Sequence, residues 1–226
     1  MSFQFYSLQH ILIIAATFSG AVISVYFARK SLNESLKLSV GKIIAAVLIL
    51  NYIAYLAHRI SSGYWEMRYD LPMELCNWAV FAVIIALFTG KRIFAEMAYF
   101  WVMTGSINAV LTPSLNEGFP HPYFFIFFIE HSGVIIAASY AVFGLKIYPD
   151  KWSVLRVFGI SQIYFFSTLL INFVLKSNYG FLMRKPYTGS VMDYMGDWPY
   201  YLITLQLVAL VSFSLLYIPF YFVNRK

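Results

Sequence analysis

Few residues in this 226-residue chain offer chemistry: a single cysteine, Cys76, and four histidines. Cys76 follows Glu74 by two positions in "LPMELCNWAV", where an apolar run begins. A thiol attacks well only as the thiolate, and apolar surroundings oppose that ionisation. It needs a neighbour to take its proton, and imidazole is a common partner. His131, in "YFFIFFIEHSG", is the histidine set deepest in an apolar run. Such a pair fits nucleophilic acyl transfer. The sulfur attacks an acyl ester, holds the acyl group as a thioester and passes it to an alcohol or to water. Asn108 and the Thr112 hydroxyl are candidate donors to the oxyanion.

Spacing predicts that these groups share a depth. Counted as helix from Asp70, Cys76 lies about 9 Å along at 1.5 Å per residue. His131 lies about 12 Å beyond Tyr123, and Asn108 about 7.5 Å before Pro113, by the same rise. Glu74 is a candidate orienter or second acid. Glu130 adjoins His131, but consecutive helical residues point about 100° apart. Each residue also has a plainer role: a lone buried cysteine packs as a small hydrophobe, and buried histidines satisfy backbone groups. His121, between Pro120 and Pro122, reads as an interfacial loop residue able to bind headgroups, and His10 and His58 read as interface residues. Arg184 and Lys185, on the same side as the Cys/His set, are candidate phosphate contacts.

The rest of the chain must position these groups, and its composition says where. It is 61% hydrophobic and 12% charged, with a mean hydropathy of +0.70. Soluble domains carry about 25% charged residues, so this chain predicts an integral membrane protein. A membrane-crossing helix needs about 20 mostly apolar residues. Seven stretches qualify: 8–27, 43–57, 71–89, 93–112, 123–145, 154–175 and 200–223. The expected architecture is one all-α, polytopic domain over 1–226 with seven transmembrane helices. The apolar runs are continuous rather than alternating, which disfavours a β-barrel. "MSFQFYS" lacks the basic region of a signal peptide, so the first segment reads as retained.

With the N-terminus outside, the outward loops hold only Arg59, Arg68, Lys176, Arg184 and Lys185 of the sixteen Lys and Arg, while Arg225 and Lys226 fall inside. Positive charge favours the cytoplasmic side, which predicts N-terminus out and C-terminus cytoplasmic. The net charge of +6 then concerns orientation and headgroups. No basic run with interleaved aromatics marks a nucleic-acid partner. One cysteine excludes an intramolecular disulfide, and His121 and His131 are too far apart in sequence for two ligands on one helical face, so neither a metal nor another cofactor is expected.

Four ordered motifs carry a resemblance: "LPMELC", "SINAVLTPSL", "FPHPYFFIFFIEHSG" and "NYGFLMRKP…S…MDYMGDWPYY". Together they resemble the YwaF-type integral membrane proteins, a bacterial group related to animal transmembrane protein 164. The resemblance implies a seven-helix fold in a bacterial plasma membrane. From the animal relatives it implies a cysteine-dependent acyltransferase moving fatty acyl groups between phospholipids through an acyl-thioester. On that pattern the nucleophile is Cys76 and the histidine His131, with Asn108 nearby, and membrane lipids are the partners. Glu74 stands where the family is expected to carry His or Gln. Two other readings compete: a small-solute transporter lined by Glu74, Glu96, Glu130, Gln162 and Asn172, and a non-catalytic membrane scaffold. A retinal protein is excluded by the absence of lysine from 200–223.

Overall fold

The computed structural model describes residues 2–30, 33–186 and 191–223, so Arg225 and Lys226 lie outside the described residues. The fold is all-α, with no strand among the described residues. The helices are α1 (Leu8–Lys30), α2 (Glu34–Ser61), α3 (Leu75–Thr89), α4 (Arg92–Trp101), α5 (Ile107–Leu111), α6 (Pro122–Ser139), α7 (Ser153–Leu175) and α8 (Tyr200–Val223). A single π-helical turn, Val102–Ser106, joins α4 to α5, and another, Tyr140–Gly144, extends α6. Five helices are long and apolar enough to cross a membrane: α1, α2, α6 with its extension, α7 and α8. The apolar helix α3 has 15 residues, short of the roughly 20 a full crossing takes.

Local sequence explains these boundaries. The apolar run 43–57 is the middle of a 28-residue helix. Asn33 caps its start by accepting the Leu36 N–H, and the charged ends belong to the same helix. The third segment starts later than its apolar run suggests. Pro72 interrupts the approach, and Glu74 is the N-cap of α3, exchanging capping-box bonds with Asn77. Cys76 is therefore in the first turn of α3 rather than well along a helix. At α6, Pro122 occupies the first turn, and His121 Nδ1 accepts the Tyr123 N–H.

The core is built on α3, whose Ala79, Val80, Ala82, Val83, Ala86 and Leu87 are all buried. Small residues on α4 and α6 (Ala95, Ala98, Ala137, Ala138) are fully buried with them, and such residues let helix backbones approach closely. Outward faces are the reverse: Ile11, Val22, Leu50, Ile163, Phe173 and Leu207 stand exposed, as a lipid-facing surface requires.

His10, expected at an interface, is fully buried. Its Nδ1 accepts the Tyr6 N–H, so Nε2–H donates to the Val110 carbonyl at 2.8 Å and ties α1 to α5. Asp70 closes the loop 62–74 onto α2. Its carboxylate accepts two bonds from Arg59 (2.7 and 2.8 Å), one from the Tyr55 hydroxyl (2.5 Å) and one from the Glu66 N–H (2.8 Å). Burial opposes ionisation of Asp70, but these donors outweigh it and hold the carboxyl below its usual value of 3.8. A depressed folded value means the stabilisation is present above pH 3.8 and is lost as pH falls through the folded value. Thermal unfolding in detergent between pH 2 and pH 6 is expected to show that loss, and Asp70→Asn should flatten the profile by lowering stability at pH 6.

Candidate active site

Cys76 is half-buried in the first turn of α3, where three other elements meet it. From the π-turn after α4, Ser106 donates its hydroxyl to Cys76 Sγ at 3.5 Å. From α6, His131 comes within electrostatic reach of the Cys76 side chain. From the loop after α7, the Gly180 N–H donates to Glu74 Oε2 at 3.0 Å, two residues before the sulfur.

The π-turn has a local cause. Thr104 turns its hydroxyl back onto the Phe100 carbonyl at 2.7 Å, and such back-bonding bends helices. Gly105 follows, a weak helix former. A single π-turn is frequent at functional sites, and here it ends on Ser106.

His131 has a fixed tautomer. Its Nδ1 lies 2.8 Å from the Phe127 carbonyl, which can only accept, so Nδ1 carries the hydrogen. The lone pair of the neutral ring is then on Nε2, the nitrogen able to receive a proton. The ring stacks on Phe127 at 4.2 Å between centroids, which fixes its plane. The charges of Glu74 and Glu130 both reach His131. Neither carboxylate hydrogen-bonds the ring, whose orientation comes from the Phe127 carbonyl instead.

The roof consists of two loops locked to each other. Tyr179 donates its hydroxyl to the Met67 carbonyl (2.7 Å) and accepts the Leu71 N–H (2.9 Å). Asn172 at the end of α7 holds the Tyr179 backbone through both its N–H and its carbonyl. A positive φ of 62° and a closely packed partner make position 180 a glycine site: a Cβ there would come within 2.7 Å of the Tyr164 hydroxyl.

The remaining sequence candidates fall elsewhere. Asn108 is exposed, and its amide donates to the Thr104 carbonyl of its own helix at 2.9 Å. Thr112 donates to the Asn108 carbonyl. No bond from either reaches Cys76 or His131. His121 caps α6 beside His58, with ring centroids 5.9 Å apart. Arg184 and Lys185 lie in the roof loop. Asn178 braces the Arg184 backbone, and Lys185 Nζ sits over the Tyr201 ring at 5.8 Å.

Four of the five polar residues that suggested a solute path, Glu74, Glu96, Gln162 and Asn172, are hydrogen-bonded within the fold. Gln162 donates to Gln206, Asn172 clamps the roof, and Glu96 is bound by Ser153 and Arg156. No group of three His, Cys, Asp or Glu that could hold a metal ion occurs among the described residues.

Sequence reasoning missed Ser106, Tyr164 and Thr168. The last two form a stripe with Asn172 at 164, 168 and 172, a spacing that puts three polar side chains on one helical face. That stripe was a readable signal.

No curated protein and no solved structure matches this chain. A family model does, over residues 5–217. A helical membrane protein with its core built on α3, this chain belongs to the TMEM164 family.

Proposed function

We propose that this protein is a membrane-embedded acyltransferase, or acyl hydrolase, that works on phospholipids through a thioester on Cys76. The carrying observation is that α6 brings His131, its Nδ1 held by the Phe127 carbonyl, within electrostatic reach of the Cys76 sulfur to which Ser106 donates, on helices far apart in sequence. His131 Nε2 takes the thiol proton, while Nδ1–H stays on the Phe127 carbonyl. The thiolate attacks the ester carbonyl, the C–S bond forms, and collapse breaks the C–O bond. The leaving alkoxide takes the proton from His131. An alcohol of a lysophospholipid, or water, reverses these steps and frees the sulfur.

A groove on the elements that carry His131 and Ser106 suits the hydrocarbon of such a substrate. It has a volume of about 490 Å³ and is lined by apolar residues such as Phe18 and Val22 of α1, Met103 and Ile107 around the π-turn, and Ile135 of α6. Ile135 is one helical turn beyond His131. Arg184 and Lys185, in the roof loop, are the headgroup-side cations. The reading takes α3 and α4–α5 as further crossings. This gives seven with the N-terminus outside, the site opening outward, and a bacterial plasma membrane as the location.

The test is direct. Purified protein incubated with a phospholipid bearing a labelled acyl chain should acquire label on Cys76, located by mass spectrometry and removed by hydroxylamine. Label transfer without any acylated Cys76, even at short times, would overturn the mechanism.

A further inference from the structure

Two buried hydroxyls on α7 have no structural employment. The Leu75 N–H and the Thr168 hydroxyl lie close to the Tyr164 oxygen as donors, but neither Tyr164 Oη nor Thr168 Oγ1 reaches a partner at hydrogen-bond geometry, although Tyr164 is only 7% exposed and Thr168 is fully buried. Buried polar groups in native proteins are almost always matched, and an exception calls for a reason. Here phenylalanine and valine would fill the same space without the mismatch.

Their position supplies the reason. One turn apart on α7, the two hydroxyls are neighbours, and the charges of both Glu74 and Cys76 reach Tyr164. The Tyr164 ring is held edge-on by Trp78 of α3 at 5.3 Å. Its hydroxyl abuts Gly180, whose N–H is committed to Glu74. A rigid hydroxyl whose hydrogen has no acceptor of its own thus stands within electrostatic reach of the sulfur.

We infer that Tyr164 is a catalytic residue of the proposed acyl transfer, donating a hydrogen bond from Oη to the carbonyl oxygen of the ester, with Thr168 Oγ1 as the neighbouring donor. The inference rests on the Cys76 reading above. As the thiolate forms its bond to the carbonyl carbon, the π electrons move onto the oxygen. Tyr164 keeps its proton and stabilises that oxyanion through the hydrogen bond. When the oxyanion collapses, the C=O bond re-forms and the alkoxide leaves with the His131 proton. Donors fixed before charge develops are the efficient arrangement for such a step. The role that sequence spacing gave to Asn108 passes to α7.

The experiment compares wild type, Tyr164→Phe and Thr168→Val in detergent micelles containing phosphatidylcholine with a labelled acyl chain. It reads the rate of hydroxylamine-labile labelling of Cys76, the KM and the Tm. Losing one oxyanion donor is expected to slow acylation by about 10²–10³-fold in Tyr164→Phe. KM should be unchanged and Tm equal or higher, since an unmatched buried hydroxyl has been removed. Thr168→Val should show a smaller fall with the same pattern. Wild-type acylation rates in Tyr164→Phe would overturn the inference and leave the Cys76 mechanism standing. So would a slowed rate accompanied by a lowered Tm, because Tyr164 would then be holding the fold. A wild-type protein that never acylates Cys76 would remove both.

Discussion

Cys76→Ala is expected to abolish acyl transfer, because the chain has no second thiol to take over. Catalysis by a general base contributes about 10²–10⁴-fold, so His131→Ala should lower the acylation rate by that factor rather than to nothing. The lost ring leaves a space beside Phe127, and added imidazole should restore part of the rate. Ser106→Ala removes the one hydroxyl that donates to the sulfur among the described residues. A single weak bond of that kind corresponds to about tenfold or less. This ranking, with alanine at 76 worst, 131 next and 106 mildest, is measurable in one labelled-phospholipid assay. Purified Cys76→Ala protein that transfers acyl chains at the wild-type rate would refute the chemistry outright.

Arg156→Met is expected to cause the largest loss of stability. Glu96 on α4 is fully buried. Its carboxylate accepts from the Ser153 hydroxyl at 2.8 Å and from Arg156 at 2.7 Å. Arg156 also grips Asp150 through its second nitrogen, at 3.0 and 3.1 Å, and Arg92 reaches the same acid at 3.2 Å. Removing one partner of a buried ion pair leaves the other charge uncompensated, at about 3–5 kcal/mol. The Arg156 side chain is 35% exposed, which moves the expected loss toward about 3 kcal/mol. Thermal unfolding in detergent should show it, and the double variant Glu96→Gln/Arg156→Met should recover part of the loss. If the two single losses simply add, the pair is uncoupled and the account of this corner is wrong.

Much of the fold was readable because lipid solvation demands long apolar runs, and the five long helices follow from that demand alone. The boundaries were less readable, for reasons that differ by segment. Glu34, Lys37, Lys42, His58 and Arg59 look like loop residues by polarity, yet they extend α2, since a long side chain at a helix end can reach water while its backbone stays helical. Leu71 and Met73 look like span residues by polarity, yet Pro72 and the capping Glu74 keep them in a loop. The count from Asp70 therefore placed Cys76 too far along its helix. The structure still brings it to within reach of His131, because α3 packs directly against α6. Asn108 was chosen for depth alone, and depth does not report which side of a helix a residue is on. The π-turn changes the facing of everything after Trp101, a rotation that residue-by-residue periodicity does not anticipate. Tyr164 went unnoticed because, in a chain that is 20% aromatic, one more tyrosine carries no contrast.

That turn between α4 and α5 also constrains how the chain can change length. Relative to an unbroken α-helix, a π-turn accommodates one additional residue while both flanking segments keep their direction. Deleting a single residue from 102–106 would let the two segments fuse into a regular helix with both flanks still facing as they do now. A deletion inside α4 itself has no such slack: it would turn everything on one side of it by about 100° against everything on the other, parting Glu96 on Arg156 from Ser106 on the sulfur. The widened turn is therefore a place where this helix can shed a residue and keep its two ends in register, at the cost of the local geometry that carries Ser106.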